Sequence, residues 1–176
     1  MKKIDIRISG FGGQGVVLAG QVLGKAAVYD GKNVVQTQSY GAEARGSAAK
    51  SEVLISDDRI GFPIVRRCDI LVAMSQEAVE KNVKNLKEDC VLLVDNSVVK
   101  KVPKIKARIF KVPATEVAAK TLGEKLYANM IMLGALNKIT KIVDENSMKK
   151  AIKDAVPEKV INVNMQAYEK GKELIR

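Results

Sequence analysis

Residues 10–15 read Gly-Phe-Gly-Gly-Gln-Gly. Backbone N–H groups in such a run can approach a phosphate or another backbone with no side chain in the way. Downstream, Ser39-Tyr40-Gly41-Ala42-Glu43-Ala44-Arg45-Gly46 sets a phenol, a carboxylate and a guanidinium among glycines. Arg45 offers a planar fork matched to carboxylate or phosphate, and Glu43 can orient it or pair with a partner surface. Gly10, Gly12 and Gly15 have the G-x-G-x-x-G spacing of dinucleotide sites. A nicotinamide site also wants an acid after the second strand, where this chain has Val35-Gln36-Thr37-Gln38. A P-loop wants Lys-Ser or Lys-Thr after the last glycine, and here Val16-Val17 follow. Two readings stay open for the glycine run. It is either a ligand- or partner-facing turn, with Gly13 and Gln14 adding exposed donors, or a turn that only permits close helix–strand packing. The second loop has a plain reading too, as a surface loop whose local ion pair contributes little.

Other chemistry is thinly supplied. The chain has no histidine, so the commonest general base near neutral pH is missing. Cys68 and Cys90 are its two cysteines, beside apolar runs, and read as buried small hydrophobes. Structural zinc takes four ligands and an iron–sulfur cluster usually four thiolates, so neither is expected on this chain alone. No catalytic residue and no metal ligand is expected here.

The elements that would position the two loops follow from periodicity. Ile4, Ile6 and Ile8 alternate with Asp5, Arg7 and Ser9, a first strand with one apolar face. Val16, Val17, Leu18, Val22, Leu23, Ala26 and Ala27 give a helical stripe to about Tyr29, closed by Asp30-Gly31. Val34–Thr37 reads as a short second strand, and residues 48–56 as another that is antiparallel or at an edge. Residues 69–74 and 90–95 are continuous apolar runs, as buried parallel strands are. Ser75 reads as the N-cap of a helix of about ten residues. Residues 107–112 read as a further strand and 114–121 and 124–139 as helical. Helices over about 145–155 and 157–174 close the chain, with Pro157 at the first position of the last. Strand and helix alternate throughout, so the expected fold is a three-layer α/β/α sandwich, Rossmann-like, with a mostly parallel sheet and an antiparallel edge. In such sheets ligands gather outside the carboxyl ends of the strands. The loops after the first and second strands are therefore expected to share one edge.

The 176 residues fit one domain, with 47% hydrophobic and 28% charged residues. No apolar run is long enough to span a membrane, and Met1-Lys2-Lys3-Ile4-Asp5 enters a strand directly, so no signal peptide is expected and the expected address is cytoplasmic. Residues 1–99 carry 13 basic and 12 acidic side chains, residues 100–176 carry 17 and 8. That asymmetry fits a lysine-rich solvated face or a face that meets an acidic partner or phosphorylated ligand. Aromatics are 4% and no nucleic-acid-binding module is evident, so a nucleic-acid reading rests on charge alone.

Taken together, the two loops resemble those of the gamma subunit of 2-oxoacid:ferredoxin oxidoreductases. The resemblance is carried by residues 10–15 and by Gln36-Thr37-Gln38-Ser39-Tyr40-Gly41-Ala42-Glu43-Ala44-Arg45-Gly46. Ser51-Glu52-Val53-Leu54-Ile55-Ser56, Ser75-Gln76-Glu77-Ala78 and Asn129-Met130-Ile131-Met132-Leu133-Gly134-Ala135 extend it over nearly the whole chain. Ala42 stands where proline is usual and Ser47 where glycine is usual. The Gln-Thr-Gln-Ser-Tyr-Gly wording resembles the 2-oxoglutarate branch more than the pyruvate branch, with branched-chain and indolepyruvate enzymes as near relatives. The resemblance implies a complex that oxidatively decarboxylates a 2-oxoacid, transfers the acyl group to coenzyme A and reduces ferredoxin. It further implies alpha and beta subunits holding thiamine diphosphate, with iron–sulfur clusters on beta or on a ferredoxin-like delta subunit. On this reading the present chain completes the assembly and shapes the approach of coenzyme A, with no activity expected of it alone. Gly10, Gly12, Gly13, Gln14, Gly15, Ser39, Tyr40, Gly41, Glu43 and Arg45 are the candidate contacts to coenzyme A or a partner. A chain made for large partners is expected to self-associate when isolated. The alternative reading is a free-standing Rossmann-type nucleotide-dependent oxidoreductase.

Overall fold

The computed structural model describes residues 2–42 and 47–176. Six strands form one sheet in the order β2-β3-β1-β4-β5-β6: β1 (Ile4–Phe11), β2 (Asn33–Tyr40), β3 (Ala48–Ser56), β4 (Cys68–Ala73), β5 (Leu86–Asp95) and β6 (Ala107–Val112). β1, β4, β5 and β6 pair parallel, while β3 runs antiparallel to both β1 and β2. The antiparallel strand therefore lies one place in from the edge, and β2 forms the edge itself.

Helices cover the two faces unequally. On one face α1 (Val16–Tyr29), α4 (Ala128–Thr140), α5 (Glu145–Ala155) and α6 (Ile161–Glu173) bury Ile6, Ile8, Val53, Val72 and Leu93. On the other, α2 (Gln76–Asn82) is joined by irregular segments to cover Leu54, Leu71, Leu92 and Val94. A short α3 (Ala114–Val117) follows β6 and widens into a π turn at Ala118–Leu122. No helix among the described residues is long and apolar enough to cross a membrane.

Local signals explain most of the ends. Gly31, at φ 77°, closes α1 with Gly31 N–H donating to Val28 O (2.9 Å) and Lys32 N–H to Ala27 O (3.0 Å). That is a Schellman stop, which needs a residue tolerant of the left-handed region. Ser75 Oγ accepts from Ala78 N–H at 3.0 Å and caps α2. Pro157 departs from expectation: it precedes a 3₁₀ turn at Glu158–Val160, and α6 begins only at Ile161. β2 is also longer than its β-branched core suggests, because pairing with β3 runs from Asn33↔Ser56 to Tyr40↔Ala49.

The polar side of β1 is buried as well as the apolar one. Arg7 is 4% exposed, and its guanidinium donates to Glu52 Oε1 (Nε 3.0 Å), Asn82 Oδ1 (3.2 Å) and Val65 O (3.0 Å). Asn82 Nδ2 reaches Ser9 Oγ at 3.3 Å. One guanidinium thus ties β1, β3, the end of α2 and the segment entering β4 into a charged seam inside an otherwise apolar layer.

Candidate functional site

β1, β4 and β6 each run into a helix at the same edge of the sheet. α1 packs on one face and α2 on the other, so β1 and β4 part company there and leave the switch-point crevice where open α/β sheets hold ligands. The glycine run follows β1, and Met74-Ser75-Gln76 follows β4. Of the helices that start at this edge, α2 is capped by Ser75 and the start of α3 is held by Asp95 and Ser97, so the open N–H groups and peptide dipole that favour an anion are those of α1.

The glycine run is a locked turn. Gln14 folds back over it, with Oε1 accepting from Phe11 N–H at 2.6 Å and Nε2 donating to Met74 O at 2.8 Å. Gln14 N–H also donates to Phe11 O at 3.2 Å. Gly10 lies directly beneath this amide: a Cβ there would fall 3.1 Å from Met74 Cβ and clash with Gln14 Oε1. The first glycine of the spacing is thus covered by a side chain of the protein and the Phe11, Gly12 and Gln14 N–H groups are engaged, which leaves the Gly13 and Gly15 N–H groups without an acceptor among the described residues. Gly13 (φ 89°) and Gly15 (φ 72°) are left-handed, and no described side chain caps α1 after Gly15. Asn129, 2% exposed, supports the turn from behind by donating from Nδ2 to Gly15 O at 3.2 Å, while its Oδ1 accepts from Met130 N–H at 2.8 Å. Periodicity gives Asn129 no role, because it sits in an apolar helix and its partner lies 114 residues away. A buried asparagine in the first turn of α4 is the signal that marks it.

The residues flanking the second loop reach the same edge. Gly12 N–H donates to Ser47 O at 2.8 Å, and Gly41 N–H to Ala48 O at 2.7 Å, so residues on both sides of the loop are tied to the glycine turn and β3. Tyr40 is 61% exposed. Ser39 pairs with Lys50 in register and with Thr37, Lys50 and Glu52 lines a small cleft of about 170 Å³. Glu43 and Arg45 lie outside the described residues.

Both thiols stand apart from this edge chemically. Burial pushes the Cys68 thiol up to about 11 and raises Cys90 in the same way, so neither is a ready thiolate near neutral pH. Among the described residues no group of three or more His, Cys, Asp or Glu could hold a metal ion. A cavity of about 560 Å³ does exist, lined by Asp30, Lys32, Lys141, Tyr168 and Lys172. It lies at the far end of α1 from the glycine turn, where helix C-termini gather.

Replacing Gln14 with alanine leaves Phe11 N–H and Met74 O without their partner and costs about 2 kcal/mol. Thermal denaturation measures the loss, and hydrogen exchange localises faster opening to residues 10–15. Gln14→Glu keeps the acceptor for Phe11 N–H but sets a carboxylate oxygen against Met74 O, so it does not restore the lock. Equal stability of wild type and Gln14→Ala contradicts the locking role.

Comparison with known proteins identifies the family and the fold. The family model described as pyruvate ferredoxin/flavodoxin oxidoreductase matches residues 5–174. The 2-oxoglutarate synthase subunit KorC of Methanocaldococcus jannaschii is 49% identical over 175 residues, covering 98% of this chain and 94% of that one. The gamma subunit of a keto/oxoacid ferredoxin oxidoreductase from Geobacter sulfurreducens superposes with a TM-score of 0.86 at 42% identity, over 97% of this chain and 96% of that one. A 2-oxoglutarate:ferredoxin oxidoreductase from Magnetococcus marinus, solved with 2-oxoglutarate, coenzyme A and succinyl-CoA bound, matches at a TM-score of 0.88 and 26% identity, over 99% of this chain and 31% of that one. The alternative of a free-standing nucleotide-dependent oxidoreductase gains no support from these relatives. With a glycine turn at the switch point and a family match over nearly its whole length, this chain belongs to the pyruvate ferredoxin/flavodoxin oxidoreductase family.

Proposed function

We propose that this chain is the gamma subunit of a 2-oxoacid:ferredoxin oxidoreductase acting on 2-oxoglutarate, and that its glycine-turn edge faces coenzyme A where the subunits meet. The observation that carries the reading is the turn at residues 10–15: locked from inside by Gln14, tied to the end of the second loop through Gly12 and Ser47, and with the Gly13 and Gly15 N–H groups free of acceptors among the described residues. Support for the substrate comes from the relative at 49% identity, a 2-oxoglutarate synthase subunit.

The residues at this edge fit an anionic diphosphate or a partner backbone. Gly13 and Gly15 hold the turn in a conformation few other residues adopt, and the uncapped start of α1 leaves N–H donors for a phosphate. Ser39, Tyr40 and Gly41 form the neighbouring wall, and Glu43 and Arg45 follow them in the chain, with Arg45 suited to a phosphate. Coenzyme A supplies the thiol that accepts the acyl group. The chain's own part is to bind and orient that ligand and to complete the shell around the reaction, which alpha and beta subunits and a ferredoxin-like subunit carry out with thiamine diphosphate and iron–sulfur clusters. Ferredoxin then takes the electrons.

Gly12 offers a clean probe, because its φ is not left-handed and an added Cβ meets nothing closer than Ser47 O at 3.7 Å. In the assembled enzyme, Gly12→Asp raises the KM for coenzyme A about tenfold by placing like charge near the anion. The KM for 2-oxoglutarate stays unchanged. A wild-type KM for coenzyme A in that variant contradicts the placement of the ligand.

A further inference from the structure

The opposite end of the sheet carries a surface that the glycine-turn edge does not explain. The chain leaves β3 at Ser56 and crosses under β1 to enter β4 at Cys68. Along this crossing Val65 is buried, with its carbonyl held by Arg7, and Ile60 packs against the core. Phe62 and Ile64 face outward instead, 51% and 55% exposed. They stand out from an anchored frame, which is unusual for large apolar side chains placed side by side.

Cations surround them. Phe62 and Ile64 line a groove of about 510 Å³ with Lys3, Asp5, Arg66, Arg67 and Lys87. An adjoining cleft shares Arg67 and Lys87 and adds Lys84, Lys106 and Glu88. Asp5 does not reverse the sign: it is 5% exposed, with Lys87 Nζ 3.0 Å from Oδ2 and Lys3 Nζ 3.5 Å from Oδ1. Lys87 also reaches Asp69 at 2.8 Å. Arg66 lies over the Phe62 ring, 5.3 Å from its centroid, and Arg67 donates to Leu86 O at 2.8 Å. Among the described residues neither arginine meets a carboxylate, nor does Lys84 or Lys106.

We infer that this strip is a docking surface for an acidic polypeptide segment of another subunit, with an apolar side chain of that segment seated against Phe62 and Ile64. The charge fixes the sign of the partner, and the aliphatic Ile64 beside Phe62 favours a polypeptide side chain over a nucleic-acid base, which stacks on an aromatic face and gains little from an aliphatic one. Arg66 is positioned for both parts, as its guanidinium can turn from the Phe62 ring to a carboxylate. The inference rests on the subunit reading above, and it places that contact at the end of the sheet away from the coenzyme-facing edge.

The test uses the complex purified through a tag on this chain. Phe62→Ser/Ile64→Ser and Arg66→Glu change exposed side chains, so the melting temperature of the isolated chain stays at the wild-type value. The expected result is at least about tenfold weaker retention of the other subunits by each variant. Lys153→Glu, exposed on α5 on the other face of the sheet, retains them like wild type. Both groove variants holding the subunits as tightly as wild type overturns the proposal while leaving the subunit reading intact. A wild-type chain that holds no subunits defeats the subunit reading itself, and the proposal falls with it. If the Phe62/Ile64 change instead dissolves a dimer of the isolated chain and leaves the complex whole, the occupant is a second copy and the proposal is overturned. Polyuridylate binding that Arg66→Glu abolishes, with the complex whole, overturns it in favour of nucleic acid.

Discussion

Glu52→Ala destabilises this protein by about 3–5 kcal/mol, because it leaves the buried Arg7 guanidinium without its counter-charge. Glu52 meets Arg7 at 2.8 Å, with the two side chains 10% and 4% exposed. Once the carboxylate is gone, Asn82 Oδ1 and Val65 O remain as acceptors but carry no charge. The reverse deletion is milder: in Arg7→Met, Glu52 keeps Lys50 at 3.2 Å. The double change Arg7→Met/Glu52→Leu recovers part of the loss, since an apolar pair of similar volume is close to neutral beside a buried ion pair, while Val65 O and Asn82 Oδ1 stay without their donor. Denaturant unfolding of the three variants checks the order Glu52→Ala, then Arg7→Met, then the double change. Equal losses in the two single variants contradict it. The consequence reaches the surface, because the same guanidinium holds the carbonyl of Val65 and so sets the frame from which Phe62 and Ile64 project.

Gly171→Ala is the second large effect. α4 and α6 cross with backbone against backbone: a Cβ on Gly171 would fall 2.8 Å from the Ile131 carbonyl carbon and closer still to its oxygen. Gly134 makes the reciprocal approach, 2.9 Å from the Tyr168 carbonyl carbon. Neither neighbour is a flexible side-chain end, so the helices must separate, at about 3 kcal/mol or more. A melting temperature roughly 10 °C lower is expected for a chain of this size. Part of that shift spreads to the site, since α4 carries Asn129 against Gly15. Hydrogen exchange in residues 13–18 therefore quickens in Gly171→Ala, whereas loosening confined to α6 contradicts the coupling.

Elements governed by neighbours in sequence were readable in advance. The Asp30-Gly31 stop, the Ser75 cap and the strand at residues 107–112 all depend on local backbone chemistry or a continuous pattern, and each appears where expected. The residues flanking the second loop, Gly41 and Ser47, also lie at the edge of the glycine turn, because β3 returns antiparallel beside β1. What stayed hidden was tertiary. Asp5, Arg7 and Ser9 alternate with isoleucines like a solvated face, yet they are buried, and distant partners make that burial tolerable: Lys87 for Asp5, Glu52 for Arg7 and Asn82 for Ser9. Gln14 has its second partner at Met74, 60 residues on, so its inward fold cannot be read from the turn. β2 extends past its apolar start because its pairing with β3, and not its own propensity, sets its length.

The most direct measurement is an anaerobic add-back titration: the remaining subunits of the oxidoreductase, prepared without this chain, receive it in increasing amounts. Viologen reduction with 2-oxoglutarate is followed with and without coenzyme A. The account predicts activity that rises to a plateau at a fixed stoichiometry of this chain, requires coenzyme A and prefers 2-oxoglutarate over pyruvate. Full coenzyme A-dependent turnover before any of the chain is added, or none at any amount of it, contradicts the account.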